Sequence, residues 1–88
     1  MKINNNLKIK KDEKKIYLFN SDYSGDILYE FEDTGYHIID FIILNPNCNV
    51  EDISQYIEEL YNSKEYSTIL NDVREFVKEL REEKIVED

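Results

Sequence analysis

Residues 26–44 read Asp26-Ile-Leu-Tyr-Glu-Phe-Glu-Asp-Thr-Gly-Tyr-His-Ile-Ile-Asp-Phe-Ile-Ile-Leu44. Within this stretch the apolar period changes from two to 3.6. Ile27, Tyr29 and Phe31 fall on one face of an extended strand, with Asp26, Leu28 and Glu30 on the other. From Asp33 the pattern turns helical. Ile38, Ile39, Phe41, Ile42 and Ile43 make the helix apolar nearly all round, which predicts a buried central helix running to about Leu44. Asp33 is a suitable N-cap, because its carboxylate can accept from the free N–H groups of the first turn. A strand that leads straight into a buried helix points to an α+β domain.

Upstream, Leu7 and Ile9 alternate with Lys8 and Lys10, the period of a half-buried strand. Asp12 and Glu13 supply a turn. Lys15 to Phe19 is a second run rich in β formers. Asn20 to Gly25 has the composition of a hairpin connection, leading into the third run, Asp26 to Phe31. The expectation is a three-stranded antiparallel meander. Downstream, Asn45, Pro46 and Asn47 end the first helix, since a proline disfavours helical geometry at the residue before it. Asn49 with Asp52 three residues on is a capping-box arrangement for a second helix, whose stripe is Val50, Ile53, Ile57 and Leu60. A third helix spans about Tyr66 to Glu83, with Ile69, Val73, Phe76, Val77 and Leu80 on one face. Ile85 and Val86 should fold back onto the core. Three strands followed by three helices, joined by short links, suit one domain over residues 1–88 with the helices on one face of a small sheet.

The chain has 88 residues, and 20 acids against 11 bases give a net charge of −9. A nucleic-acid binder needs a basic footprint to neutralise phosphates. A field of this sign repels DNA, RNA and anionic membranes and favours a basic or neutral polypeptide. The one cysteine, Cys48, cannot form an intramolecular disulfide, which fits a reducing cytosol. Met1 to Asn6 has no apolar core and is not a secretory signal. The apolar stretch Ile38 to Leu44 is too short to span a bilayer.

Catalytic chemistry finds little purchase. One His and one Cys do not make a structural zinc site, and the carboxylates lie on helix faces where solvation accounts for them. No cofactor is expected. Cys48 sits between two Asn residues with no neighbouring base, as an ordinary loop thiol. His37 and Asp40 are three apart on one helix. They are either a base with its orienting carboxylate or, the plainer reading, the polar edge of a buried helix. Gly25 and Gly35 are isolated and form no phosphate loop. A three-stranded sheet does, however, have two edges with unpaired N–H and C=O groups, and a guest peptide can add there as a strand. Each such hydrogen bond contributes only about 0.5–1.5 kcal/mol net. Micromolar binding, about −8 kcal/mol, therefore needs apolar anchors as well.

Phe31 to Gly35, F-E-D-T-G, followed by an apolar helix, resembles the L-N-x-T-G/A segment of PqqD-like proteins, the recognition elements of ribosomally made precursor peptides. Asn49 to Ile53, N-V-E-D-I, resembles the T-V-x-E-I helix start of that family. Asp72 to Leu80, D-V-R-E-F-V-K-E-L, resembles its D-V-x-x-F-L-x-x-L third helix. The three motifs occur in order at matching spacing, over about Leu7 to Val86. Two departures stand out: Asn45-Pro46-Asn47-Cys48 replaces a linking glycine, and Phe31 replaces a leucine.

The resemblance implies a winged-helix-like fold that binds the leader of a precursor peptide. The leader would add as an antiparallel strand to the third strand, beside the third helix. The implied contact residues are Ile27, Leu28, Tyr29, Glu30 and Phe31, with Asp72, Glu75, Phe76 and Glu79 on the facing helix. Leu28 and Glu30 would flank the guest on the open face. Phe76 either floors an apolar pocket or lies wholly in the core, and Asp72, Glu75 and Glu79 would attract a basic leader. The domain would carry the peptide without catalysing anything. A separate maturation enzyme would act on it, a radical SAM protein or, in lasso-peptide systems, a leader peptidase. Two rival readings are a protein-interaction adaptor and a winged-helix nucleic-acid binder. The second is poor, because residues 66–84 set Arg74, Lys78, Arg81 and Lys84 against five acids. The chain would be a monomer or, by pairing of strand edges, a weak dimer.

Overall fold

The computed structural model describes residues 1–20 and 27–88. The expected hairpin connection after Asn20, and Asp26, lie outside the described residues. The sheet is the meander expected: β2 (Leu7–Lys11), β3 (Lys15–Asn20) and β4 (Ile27–Glu32) are antiparallel in the order β2-β3-β4. The β2–β3 turn is built by Asp12, whose carboxylate accepts from the backbone N–H groups of Lys14 and Lys15, both at 2.9 Å. Those two bonds hold its carboxyl below the ordinary aspartate range. Ile16 and Leu18 of β3 are fully buried and stand opposite Phe31 and Tyr29 of β4.

One expectation about β4 is corrected. Ile27 does not share a face with Tyr29 and Phe31. Leu18 pairs with Tyr29 but Phe19 pairs with Ile27, so Leu28 is the extra residue of a β-bulge. Residues opposite one another in a pair share a face. Ile27 therefore joins Phe19 on the face away from the helices and is 58% exposed.

Glu32 ends β4 and, in extended geometry, is also the residue that caps α1 (Asp33–Leu44), without a side-chain hydrogen bond. Asp33 is thus not the cap. Its φ of 55° is left-handed, and a cap needs an extended backbone. Aspartate tolerates the left-handed region better than most residues. It lets the strand turn into the helix with no intervening loop. α1 is the central element, packed on β3, β4 and the second helix, with Ile38, Ile39 and Ile42 buried.

α2 (Val50–Tyr61) begins with the full capping box: Asn49 accepts from the Asp52 N–H at 2.8 Å and donates its own N–H to the Asp52 carboxylate at 3.1 Å. Ile53 and Ile57 are buried as expected, whereas Leu60, in the last turn, is 44% exposed. Ser54 is buried, and its hydroxyl donates to the Val50 carbonyl at 2.8 Å. Cys48 is buried too, and that burial pushes its thiol up. α3 (Tyr66–Glu82) buries Val73, Val77 and Leu80 against α2.

Lys84, at φ 58°, reverses the chain after α3. Its N–H bonds the Arg81 carbonyl and the Ile85 N–H bonds that of Leu80, the two bonds of a Schellman motif. The turn delivers Ile85 and Val86 into the core. A lysine here carries steric strain that glycine would not. Lys84→Gly should therefore raise stability by about 1 kcal/mol in urea denaturation. An unchanged or lowered midpoint would count against the strain.

The sequence reading had no place for two short strands. β1 (Lys2–Ile3) pairs antiparallel with β5 (Val86–Glu87), Ile3 opposite Val86, and the Asn4 side chain donates to the Lys84 carbonyl. The Met1 ammonium donates to the Cys48 carbonyl at 3.2 Å, so the N-terminal segment clamps the α1–α2 link.

Candidate functional site

β4 is an edge strand: its partner in the sheet is β3, and its other side carries no strand among the described residues. On the helix side of β4, three aromatic rings run inward. Tyr29 stacks on Phe31 with centroids 6.5 Å apart, and Phe31 meets Phe76 of α3 edge-on at 6.1 Å. Both distances lie in the range where ring quadrupoles attract. Tyr29 reaches across to α3 as well, donating its hydroxyl to the Glu83 carboxylate at 3.2 Å. Burial, and then that bond, push the tyrosine hydroxyl up.

Beyond Phe31 and Phe76 the groove deepens into a pocket of about 400 Å³. Its walls are Gly35 and Ile38 of α1, Ile57 and Tyr61 of α2, and Ile69 and Val73 of α3. Gly35 is what keeps it open beside the strand. A Cβ there would lie 3.6 Å from Phe31 and 3.7 Å from Phe76, at ordinary contact distance, so even alanine would narrow the junction of strand and pocket. At the rim, the hydroxyls of Thr34 and Tyr61 are 3.3 Å apart.

A second, larger depression of about 620 Å³ surrounds the α1–α2 link, lined by Phe41, Leu44 and Tyr56 together with Asn45, Asn47, Asp52 and Glu59. None of its lining residues belongs to the β2-β3-β4 sheet. The smaller pocket adjoins β4, because two of its lining residues, Gly35 and Phe76, lie next to the Phe31 ring.

The residues expected at the site are placed as follows. Tyr29 and Phe31 line the helix side of β4, while Glu30 is exposed and its carboxylate holds Lys15 Nζ at 2.7 Å. Leu28 is exposed at the bulge, and Ile27 faces away from the groove. Phe76 is half-buried and lines the pocket, with Asp72 on its rim. Glu75 and Glu79 are exposed on α3 outside the pocket wall. No cation pairs with Asp72, Glu75 or Glu79 among the described residues. Sequence reasoning missed Glu83, Tyr61, Ile57 and Ile69 as site residues. They come from α2, from α3 and from the residue that caps the end of α3, and only the FEDTG stretch hinted at Gly35.

The His37–Asp40 pair is not assembled as a base with its orienter. Asp40 holds Lys11 Nζ at 2.7 Å, and His37 sits edge-on to Tyr36 and Tyr61. Among the described residues no group of three or more His, Cys, Asp or Glu side chains could hold a metal ion, and no helix is long and apolar enough to cross a membrane.

An edge strand flanked by an apolar, helix-walled groove defines a class of domain that can receive an extended polypeptide. The family model for coenzyme PQQ synthesis protein D (PqqD) matches residues 18–86, and the chain belongs to that family. Among solved structures, it is similar to TbiB1 in complex with the TbiA(beta) leader peptide, with a TM-score of 0.79 at 22% identity, over 99% of this chain and 95% of the other. That likeness establishes the fold. No curated protein sequence matches the chain.

Proposed function

We propose that this chain binds the leader segment of a ribosomally made precursor peptide and presents it to a separate enzyme, with no catalytic role of its own. The observation that carries the reading is the free edge of β4 lying beside the Phe31–Phe76 groove. The leader adds antiparallel to β4. Backbone hydrogen bonds set its register, and side chains on alternate positions drop into the pocket walled by Gly35, Ile38, Ile69 and Val73. Family membership supports this, as does the similarity to TbiB1 in complex with the TbiA(beta) leader peptide. The enzyme served is a maturase of the radical SAM type or a leader peptidase, and the natural compartment is the cytosol.

The acids around the groove select for a basic leader. Glu30 and Glu32 share one lysine, Lys15, and Asp72, Glu75 and Glu79 add unpaired charge on α3. Single exposed charges contribute little, so Glu79→Lys should weaken a basic leader only about two- to fivefold, and less in high salt. Calorimetric titration at two salt concentrations measures this. Binding that ignored both salt and Glu79→Lys would remove the electrostatic part of the reading.

The test of the function itself is an amide NMR titration with the leader peptide encoded beside the gene. Shifts should concentrate on Tyr29 to Glu32 and on Ile69 to Phe76. A leader that bound only at the α1–α2 depression, or left all amides unmoved, would sink it.

A further inference from the structure

We propose that, in the absence of a guest peptide, the β4 edge of one copy pairs with the β2 edge of a second copy, so that β2 serves as a built-in substitute for the guest strand. The two edges of the sheet are complementary in charge and in pleat. Six of the eleven bases are Lys2, Lys8, Lys10, Lys11, Lys14 and Lys15, whereas acids dominate from β4 onward.

The strand register shows which residues share a face. Lys8 stands opposite Phe19 and Lys10 opposite Tyr17, while Glu30 stands opposite Tyr17 and Glu32 opposite Lys15. Lys8, Lys10, Glu30 and Glu32 therefore all lie on the sheet face away from the helices. Ile9 stands opposite Leu18 and Phe31 opposite Ile16, on the helix side.

Place β2 parallel to β4, the direction that keeps the helices of both copies on one side of the continued sheet, with the partner's Ile9 beside Phe31. Glu30 then neighbours the partner's Lys8, and Glu32 neighbours the partner's Lys10, on the same face. A slip of one residue would turn both lysines to the helix side, so pleat and charge fix one register. Ile9 is 42% exposed in the single chain and would be covered by this pairing. β2 packs chiefly on β3, and Lys8 to Lys11 are exposed, so the strand is presented rather than enclosed. Lys8 and Lys10 have no ion-pair partner among the described residues.

The symmetric alternatives are disfavoured. A β4–β4 contact sets Glu30 and Glu32 against the same acids, and a β2–β2 contact sets lysines against lysines. The favoured contact is head-to-tail. Self-association stands on the sheet alone. Only its competition with the leader rests on the function proposed above.

The experiment is sedimentation velocity on the full chain at about 0.15 M salt, where a Debye length of about 8 Å screens the net charge but spares contact pairs. Wild type should show concentration-dependent association, and its amide shifts from Leu7 to Lys11 and from Ile27 to Glu32 should move with concentration. Lys8→Glu/Lys10→Glu and Glu30→Lys/Glu32→Lys should each associate at least about tenfold more weakly. An equimolar mixture of the two variants, with their charges exchanged, should associate again. A wild type that is monomeric throughout, variants that associate like wild type, or a mixture that does not recover would each overturn the proposal. Saturating leader peptide should return wild type to monomer. Copies that stay associated with leader bound would overturn the shared edge, whereas intact association with no leader binding would refute the leader-binding function alone.

Discussion

Replacing Ile39 by alanine is expected to lower the unfolding free energy by about 3–4 kcal/mol, the largest loss for any single truncation considered. Ile39 is fully buried on α1, the helix that packs on β3, β4 and α2 together. Alanine there forfeits the transfer free energy of the deleted carbons and adds the cost of the cavity left between those elements. Small domains have about 5–15 kcal/mol of stability in total, so this one change should shift the urea midpoint markedly. Leu44, on the same helix but 70% exposed, is the matched control, and its alanine variant should stay within about 0.5 kcal/mol of wild type. Equal losses at the two positions would mean that α1 is not the centre of the core.

The second large effect is on binding. Phe76→Ala should reduce leader affinity at least about tenfold, equivalent to about 1.4 kcal/mol, while the fold survives. Phe76 is half-buried, meets Phe31 edge-on and forms part of the pocket beside β4. Its removal opens the floor on which a guest side chain would rest. Phe41 is the comparison that separates binding from stability. It too is half-buried, and it stacks on Tyr56 at 4.7 Å, but it lies at the α1–α2 end, away from β4. Phe41→Ala should cost similar stability and leave leader affinity unchanged. If both variants lost affinity alike, the loss would reflect a loosened core, and the groove reading would fail.

Part of the groove was legible in the sequence, because it sits on two continuous patterns. The alternation of Tyr29 and Phe31 marks the inner face of β4, and the i, i+4 spacing of Asp72 and Phe76 marks the side of α3 that borders the pocket, with Glu79 outside it. The bulge at Leu28 was not legible. A bulge adds one residue without altering composition, and Ile27 continues the apolar alternation whether or not the pleat does. The left-handed Asp33 was hidden for a similar reason, since aspartate suits both a cap and a left-handed turn. The Tyr29–Glu83 bond joins residues 54 apart, and nothing local to either one announces the other.

The sequence by itself determined the order of the three main strands and three helices, most of the buried stripe of α2 and of α3, the capping box at Asn49 and the net acidity. These follow from periodicity, from short-range hydrogen bonding and from net charge, all of which are properties of neighbours along the chain. The tertiary structure alone decided that β1 and β5 close the termini against each other, because two-residue strands have no period to read. It alone decided which sheet edge stands open beside a pocket. That pocket is walled by α1, α2 and α3 together, and a space enclosed by three helices exists only once their packing has set the distances between them.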